Sequence, residues 1–435
     1  MSDRATRILL VIGAGAAATV ALAAPGTLAA LAAPSSLAPV IAHNAGMLAG
    51  YGAAVMLVMM SRWPLLENAV GADRLARWHA TGGRTFLVLA LMHAIAAVQG
   101  WAQVRRIAVL PALAEVLGMP GLIAATVATA LFLFVAAMSI RAARRRMSYE
   151  RWHLTHLSVY AAVGLSFGHE LAGPDVAGNR AAQITLSLLY VYAYVLVLRY
   201  RVISPVWQAF RHRMRVVRVS READGVVSIV VRGRRLGELS PRPGQFFRWR
   251  FLTARTWQSA HPFSLSAPPI GEFLRLTVKE LGPGSACLQR IRPGVRVVTE
   301  GPYGAMTAER RTRPGVVLIA GGIGITPMRA LFETIGAAPG RLTLIYRATS
   351  VRDIVFRAEL DEIARRRGAR VHYLVGPSSA SANRMDAANL TRLVSDLRDR
   401  DVYLCASPRL AEAVREAVRE AGVPRAQFHE EVFAF

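Results

Sequence analysis

WHATGGRTFLVLALMHA, residues 78–94, sets two histidines, His79 and His93, into a run otherwise suited to lipid. They are 14 residues apart. On a helix that is about 21 Å of rise, and it leaves the two side chains within about 40° of one face. A lone imidazole in an apolar helix is ordinarily satisfied by packing, and His43 in IAHNAGMLAG reads that way. The paired spacing asks for more, and the rest of the chain supplies it.

Six apolar stretches are long enough, or nearly so, to cross a bilayer core, which takes about 20 helical residues. They lie near 8–32, 37–60, 78–100, 119–140, 152–170 and 182–203. The first reads equally as a signal peptide ending in small residues, and its removal would not invert the later spans. Arginines mark one side: Arg4 and Arg7, then Arg62, Arg74 and Arg77, then Arg141, Arg144, Arg145, Arg146 and Arg151, then RYRVISPVWQAFRHRMR after the last span. The alternate connections are poorer in basic residues, with Arg105 and Arg106 as a mild exception. The positive-inside rule then puts the N-terminus and everything after about residue 204 in the cytoplasm, on a multi-pass protein of the plasma (inner) membrane.

The composition agrees. Of 53 basic residues in 435, all but Lys279 are arginine, and the net charge is +25. Much of that excess flanks apolar segments, which fits an anionic lipid surface rather than nucleic acid. Coding bias accounts for most of the arginine preference. Cys287 and Cys405 form neither a disulfide framework nor a metal-site spacing.

YERWHLTHLSVYAAVGLSFGHE, residues 149–170, offers a second histidine pair, His156 and His169. The third and fifth spans enter from the same side, so His79 and His156 fall at the inner leaflet and His93 and His169 at the outer one. Neutral imidazole is an axial ligand of haem iron, and ionisable groups within spans are by default functional. Two pairs at two depths therefore predict two stacked haems. Two details stay open. The 13-residue spacing of the second pair turns about 140° around an ideal helix, and His153 competes with His156 for the inner position. Phe86, midway between His79 and His93, reads as core or as a ring between the haems. Arg84 either meets a haem propionate or snorkels to the surface.

The pattern RWH…H followed by YExWxxxH…H resembles the ferric reductase-like transmembrane domain shared by NADPH oxidases and ferric reductases. In that family a tyrosine–glutamate pair precedes the inner ligand as Tyr149 and Glu150 precede His156. The resemblance thus favours His156 over His153 and implies haem b at both positions. The 13-residue spacing is the family's own.

From 213 to 310 the chain alternates like strands, with Gly/Pro punctuation, and predicts an antiparallel β-barrel. HPFSLSAPP, VKELGPGS and GPYG lie within it. From 311 to 435 strands alternate with helices: VVLIA, then the glycine loop GGIGITP, then MRALFETIG. Thr326 reads there as a cap and Pro327 as a first-turn residue. This is a small doubly wound α/β sheet whose ligand site should lie at the carboxyl ends of its strands. The expected architecture is a multidomain membrane protein. A six-helix transmembrane bundle (1–203) is joined by a linker (204–212) to a barrel (213–310) and an α/β nucleotide-binding domain (311–435).

The order HPFS, G-x-x-S, GPYG, GGxGxTP, C-x-x-P and a terminal aromatic resembles the ferredoxin–NADP reductase superfamily, and more narrowly the dehydrogenase half of NADPH oxidases. That resemblance implies that His261, Pro262, Phe263 and Ser264 cradle FAD, and that Lys279, Gly282 and Ser285 meet its pyrophosphate. Gly321, Gly322, Gly324, Thr326 and Pro327 would line the pyrophosphate of NADPH, and Arg347 its 2′-phosphate, with NADH as the other donor. Cys405 would lie near the nicotinamide, Glu431 beside it, and Phe435 against the flavin ring. One departure stands out: the family's C-G-P is here Cys405-Ala406-Ser407-Pro408. The implied activity carries electrons from cytoplasmic NADPH through FAD and two haems to an outer acceptor. Oxygen, giving superoxide, is the first expectation, a ferric chelate the second, and an extracytoplasmic redox partner the third. Homo-oligomers are compatible with all three. No EF-hand loop is present in the sequence, so calcium control is not expected.

Overall fold

The computed structural model describes residues 3–32, 37–140, 146–147, 149–173 and 176–432. The chain divides into two compact units, Met1–Ile203 and Ser204–Phe435.

The first unit is helical, the form in which a chain crossing lipid satisfies its own backbone polar groups. Its helices are α1 (Asp3–Ala32), α2 (Leu37–Met60), α3 (Pro64–Val70), α4 (Ala72–Arg105), α5 (Val109–Leu117), α6 (Leu122–Ser139), α7 (Tyr149–Ala172) and α8 (Arg180–Leu198). The turn of π-helix Arg199–Ile203 follows α8. Local chemistry sets several ends. The Asn179 side chain accepts the Ala182 N–H at 3.1 Å to start α8, and Arg106 at φ 53° stops α4. Five stretches among the described residues are apolar and long enough to span: Ala5–Ala24, Leu37–Met60, Arg74–Arg105, Leu122–Ser139 and Arg180–His212. The fifth expected span corresponds to α7, which has the length, 24 residues, but is not among the five; His156, His169 and Glu170 dilute its hydropathy. Leu10, Val11, Leu110, Ile123 and Leu188 are exposed around this unit, an arrangement suited to a lipid environment.

In the second unit, the stretch 204–212 read as a linker is a helix, α9 (Ser204–His212). The strands that follow are β1 (Arg215–Ala223), β2 (Val226–Arg232), β3 (Phe246–Phe251), β4 (His261–Ser264), β5 (Phe273–Lys279) and β6 (Val297–Tyr303), with the short helix α10 (Pro283–Leu288) between the last two. They do not close into the expected barrel. They form two three-stranded antiparallel sheets, β1-β2-β5 and β4-β3-β6. Isolated bridges, Arg215↔Arg296 and Leu265↔Leu276, and a few backbone hydrogen bonds beside them, such as Val216 N–H to the Val295 carbonyl and Ser266 N–H to the Arg275 carbonyl, join their edges without a continuous ladder. The cause lies in β4: Pro262 lacks an N–H, and Pro268 and Pro269 end the strand before a ladder to β5 can extend. The fully buried Phe247, Trp249, Phe251, Ile229, Leu274 and Leu276 fill the core.

The remaining elements are β7 (Gly315–Gly321), α11 (Ile325–Thr334), β8 (Leu342–Ala348), α12 (Arg357–Arg367), β9 (Arg370–Val375), α13 (Ala387–Leu393), β10 (Arg400–Ala406), α14 (Pro408–Glu420) and β11 (Phe428–Val432). The five strands are parallel in the order β11-β10-β7-β8-β9. One core packs α11 and α12 on one face, and a second packs α13 and α14 on the other. The strand order reverses between β7 and β10, the place where doubly wound sheets open a ligand crevice.

Candidate functional site

In the first unit the four histidines meet in pairs. The rings of His79 and His156 are 5.9 Å apart, centroid to centroid, and those of His93 and His169 are 6.0 Å apart. The first histidine of α4 meets the first of the pair on α7 and the second meets the second, so the two helices run parallel. The main neighbour of α4 is α2, and that of α7 is α6; the imidazoles reach across the space between. An imidazole nitrogen bonds a first-row metal at about 2 Å. With about 1 Å more to each ring centre, two coaxial imidazoles sharing one metal would stand about 6 Å apart. Both pairs fit that requirement. The 140° turn expected along α7 is absorbed with the helix unbroken from Tyr149 to Ala172.

The His93–His169 pair is oriented by the backbone. Nδ1–H of His93 donates to the Ala42 carbonyl at 2.8 Å, and Nδ1–H of His169 donates to the Ser166 carbonyl at 2.6 Å. A carbonyl only accepts, so both Nδ1 atoms carry the proton and each Nε2 keeps its lone pair for a metal. Gly46, one turn beyond Ala42, opens the notch for His93: a Cβ there would lie 2.5 Å from its Nδ1. In the other pair, His79 Nδ1 is buried without a hydrogen-bond partner among the described residues, and Trp152 stacks on His156 at 5.1 Å. Phe86 packs edge-on to Phe132 at 4.8 Å within an apolar cluster. Arg84 turns back along its own helix to the Ala80 carbonyl and the Thr81 hydroxyl.

In the second unit, HPFS is the strand β4 and GPYG the end of β6, both paired with β3. Ser264 is 3% exposed, and its Oγ has no hydrogen-bond partner among the described residues. An orphaned hydroxyl of this kind fits a strand that awaits a polar ligand. Trp249 Nε1–H donates to the Phe263 carbonyl at 2.9 Å and fixes the strand from behind. Gly284 lies against His261, where a Cβ would come within 2.6 Å of the ring; HPFS and GPGS are thereby brought together. Ser285 Oγ accepts the N–H groups of Leu281 and Gly282 at 2.8 and 3.0 Å and closes the turn around Gly282. Lys279 ends β5 just upstream.

The glycine loop leaves β7 at the switch point. Gly322 is left-handed at φ 55°. A Cβ on Gly324 would strike the Cys405 carbonyl, and one on Gly321 would lie 2.5 Å from Leu410. Thr326 donates to the Ile323 carbonyl at 3.0 Å, and Pro327 is buried in the first turn of α11. Cys405, fully buried at the end of β10, pairs in register with Ala320 on one side and Glu431 on the other. The extra residue before Pro408 has a structural use: Ser407 is the N-cap of α14 and Pro408 its first residue. Phe435 lies outside the described residues.

Arg347 does not face solvent as a 2′-phosphate clamp would. It is 9% exposed, and its guanidinium donates to the carbonyls of Ala348, Leu374 and Gly376, tying the end of β8 to β9. Burial lowers its pKa. Sequence reasoning also missed the Ala42 and Ser166 carbonyls and Gly46; the repeat Ala42, Gly46, Gly50 along α2 is the one signal that could have found the notch.

A fold that joins a membrane-type helical region to a flavin- and nucleotide-binding module defines an electron-transfer oxidoreductase. Comparison with known families agrees. A profile described as "Ferric reductase like transmembrane component" matches residues 45–167, and one described as "Oxidoreductase NAD-binding domain" matches residues 318–416. This two-module order matches the architecture of the NADPH oxidase and ferric reductase family. The chain is 31% identical over 234 residues to the ferredoxin reductase component of 3-ketosteroid-9-alpha-monooxygenase from Mycobacterium tuberculosis (strain CDC 1551 / Oshkosh), a match covering 50% of this chain and 63% of that relative. It thus spans less than two thirds of that relative's length. It is 27% identical over 223 residues to ferredoxin–NADP reductase B of Sorangium cellulosum (strain So ce56), covering 48% of this chain and 87% of that one. Among solved structures, the FAD/NAD-binding domain of nitric oxide dioxygenase from Vibrio cholerae O1 biovar El Tor matches at 24% identity and TM-score 0.42, over 51% of this chain and 98% of that chain.

Proposed function

We propose that the chain carries electrons from cytoplasmic NADPH, or NADH, across the membrane to an acceptor on the outer face, with oxygen as that acceptor. Each NADPH gives two electrons, so two O2 become two superoxide ions as NADP+ and one proton are released. When bound, a flavin supplies the conversion of a two-electron donor into single electrons, and two b-type haems supply one-electron carriers. His79 and His156 would hold the inner haem, and His93 and His169 the outer one. His261, Pro262, Phe263 and Ser264 would cradle the flavin, with Lys279, Gly282 and Ser285 toward its pyrophosphate. Gly321, Gly322, Gly324, Thr326 and Pro327 would admit the dinucleotide phosphates closely, with Cys405 and Glu431 at the nicotinamide end. The arginine-rich connections support the sidedness. The observation that carries this reading is the pair of imidazole pairs at 5.9 and 6.0 Å in the region that matches a ferric reductase component.

The test is anaerobic. Purified protein is loaded with FAD, NADPH is added, and haem absorbance is followed. Haem reduction supports the whole path, whereas flavin bleaching with ferric haem refutes it for the isolated chain. Absence of haem refutes the histidine assignment. A ferric chelate is the second reading, favoured by the family profile itself. Dismutase-sensitive reduction of cytochrome c in air identifies oxygen as acceptor, and dismutase-insensitive Fe(II) release identifies the chelate.

A further inference from the structure

Between the flavin-side strands and the nucleotide sheet of the second unit lies a set of ion pairs that the fold of neither part requires. Arg275, on β5, grips Glu359 on α12 as a fork: Nη1–H donates to Oε1 and Nη2–H to Oε2, each at 2.9 Å. The same Nη2 donates to the Ser266 carbonyl at 2.7 Å, two residues beyond the orphaned Ser264 hydroxyl. Glu359 Oε2 also accepts Nε–H of Arg329 at 2.8 Å. Arg329 belongs to α11, the helix launched directly from the glycine loop. Three side chains thus connect the turn after the flavin strand to the helix after the dinucleotide loop.

The geometry is tightly held. The Arg275 and Arg329 side chains are 15% and 10% exposed, and forked, charge-assisted bonds are the directional kind. An exposed pair would hold little, but a mostly buried cation that loses its partner is expensive. The Arg275 guanidinium also lies over the Phe356 ring at 4.8 Å. Phe356 is held at φ 63°, a left-handed conformation unfavourable for a bulky side chain. The backbone accepts that strain where it delivers Glu359 and the ring together to Arg275.

We propose that Arg275, Glu359 and Arg329 form a strut that fixes the separation of the flavin cradle from the nucleotide loop, making them positioning residues for hydride transfer. The inference rests on reading this unit as a flavin and nicotinamide module. In that step a C–H bond of the dinucleotide breaks and an N–H bond of the flavin forms, two electrons and one proton moving together. A displacement of about 1 Å costs such a step about 100-fold.

The test uses the full chain in detergent, loaded with FAD and mixed rapidly with NADPH, in wild type, Arg275→Met, Glu359→Gln and the double variant. Arg232→Met is the control; its pair with Glu272, at 2.8 Å with side chains 60% and 46% exposed, joins two flavin-side positions. Each single variant should lower the limiting rate of flavin reduction ~10- to 100-fold without changing the NADPH concentration that gives half the maximal rate. The double variant should be no slower than the slower single, and Arg275→Lys, which keeps charge but loses the fork, should fall between. Amide hydrogen exchange should rise around 265–267 and 356–360 in the variants and not in the control. Unchanged limiting rates, additive slowing in the double variant, or unchanged exchange each overturn the strut. If NADPH leaves the wild-type flavin oxidised, the module reading fails, and the exchange measurement still judges the strut alone.

Discussion

Gly46→Ala is the most discriminating single change in the membrane unit. Propensity alone favours it, because alanine improves on glycine inside a helix by about 1 kcal/mol. Packing opposes it: the new Cβ would sit 2.5 Å from Nδ1, 2.8 Å from Cε1 and 3.2 Å from Cγ of His93. Carbon and nitrogen settle at about 3.5 Å, so the ring must retreat by about 1 Å or rotate away from the Ala42 carbonyl. A metal–ligand distance tolerates about 0.2 Å. The displacement is therefore about five times what ligation allows, and a haem held by His93 and His169 should be lost while one held by His79 and His156 stays. Haem content per chain, measured as the pyridine adduct against protein, should fall from two to one. Gly52→Ala, with nothing within 4 Å of its Cβ, should keep both. Two haems with an unaltered spectrum in Gly46→Ala would refute the assignment of His93. Loss of both haems, with the nucleotide unit still folded, would refute the separation of the two sites.

Three further outcomes follow from the second unit. Arg347→Ala strips partners from buried carbonyls and should destabilise by about 1–3 kcal/mol in denaturant titration, weakening NADPH and NADH alike; selective loss of NADPH would mean the guanidinium swings out to the 2′-phosphate. Gly324→Ala drives a Cβ into the backbone of Cys405 and should cost about 1–3 kcal/mol with a marked loss of NADPH binding by calorimetry; unchanged binding would mean the loop lies elsewhere. Burial pushes the Glu359 carboxyl up, but Arg275 and Arg329 outweigh it and hold it below its ordinary value. Its stabilisation is then complete above the unfolded value, about 4.3, and fades as pH falls through the lower folded one. The stability gap between wild type and Glu359→Gln should close in acid; a gap unchanged down to pH 3 would contradict the pairing.

Much of this was legible because spacing translates directly into position. A 14-residue interval on one helix fixes two depths, and a partner helix with its own interval predicts which rings meet. Motif order told more than any motif alone: GGIGITP is ordinary until VVLIA precedes it and HPFS lies upstream. Closure of the β-barrel was not legible, because alternation shows which face of a strand is buried but not which edge is paired; the prolines around β4 decide that. The direction of Arg347 was hidden for a related reason, since a strand-end arginine can turn to solvent or to the neighbouring carbonyls. The stretch 204–212 looked like a linker for its charge, yet its apolar residues continue a helix. Gly46 could be understood only once His93 was known to stand opposite it.

The order of the parallel sheet has a consequence in time. Strands β7, β8 and β9 are neighbours in both sequence and space, but the crevice lies between β7 and β10, whose paired residues Ala320 and Cys405 are far apart in the chain. Closing so long a loop is slow compared with pairing adjacent strands. During synthesis the glycine loop therefore emerges and folds against an incomplete edge, and the pocket is finished only when β10 inserts beside it. Dinucleotide binding should be among the last properties this chain acquires as it folds, so NADPH can serve as a reporter of the completed sheet.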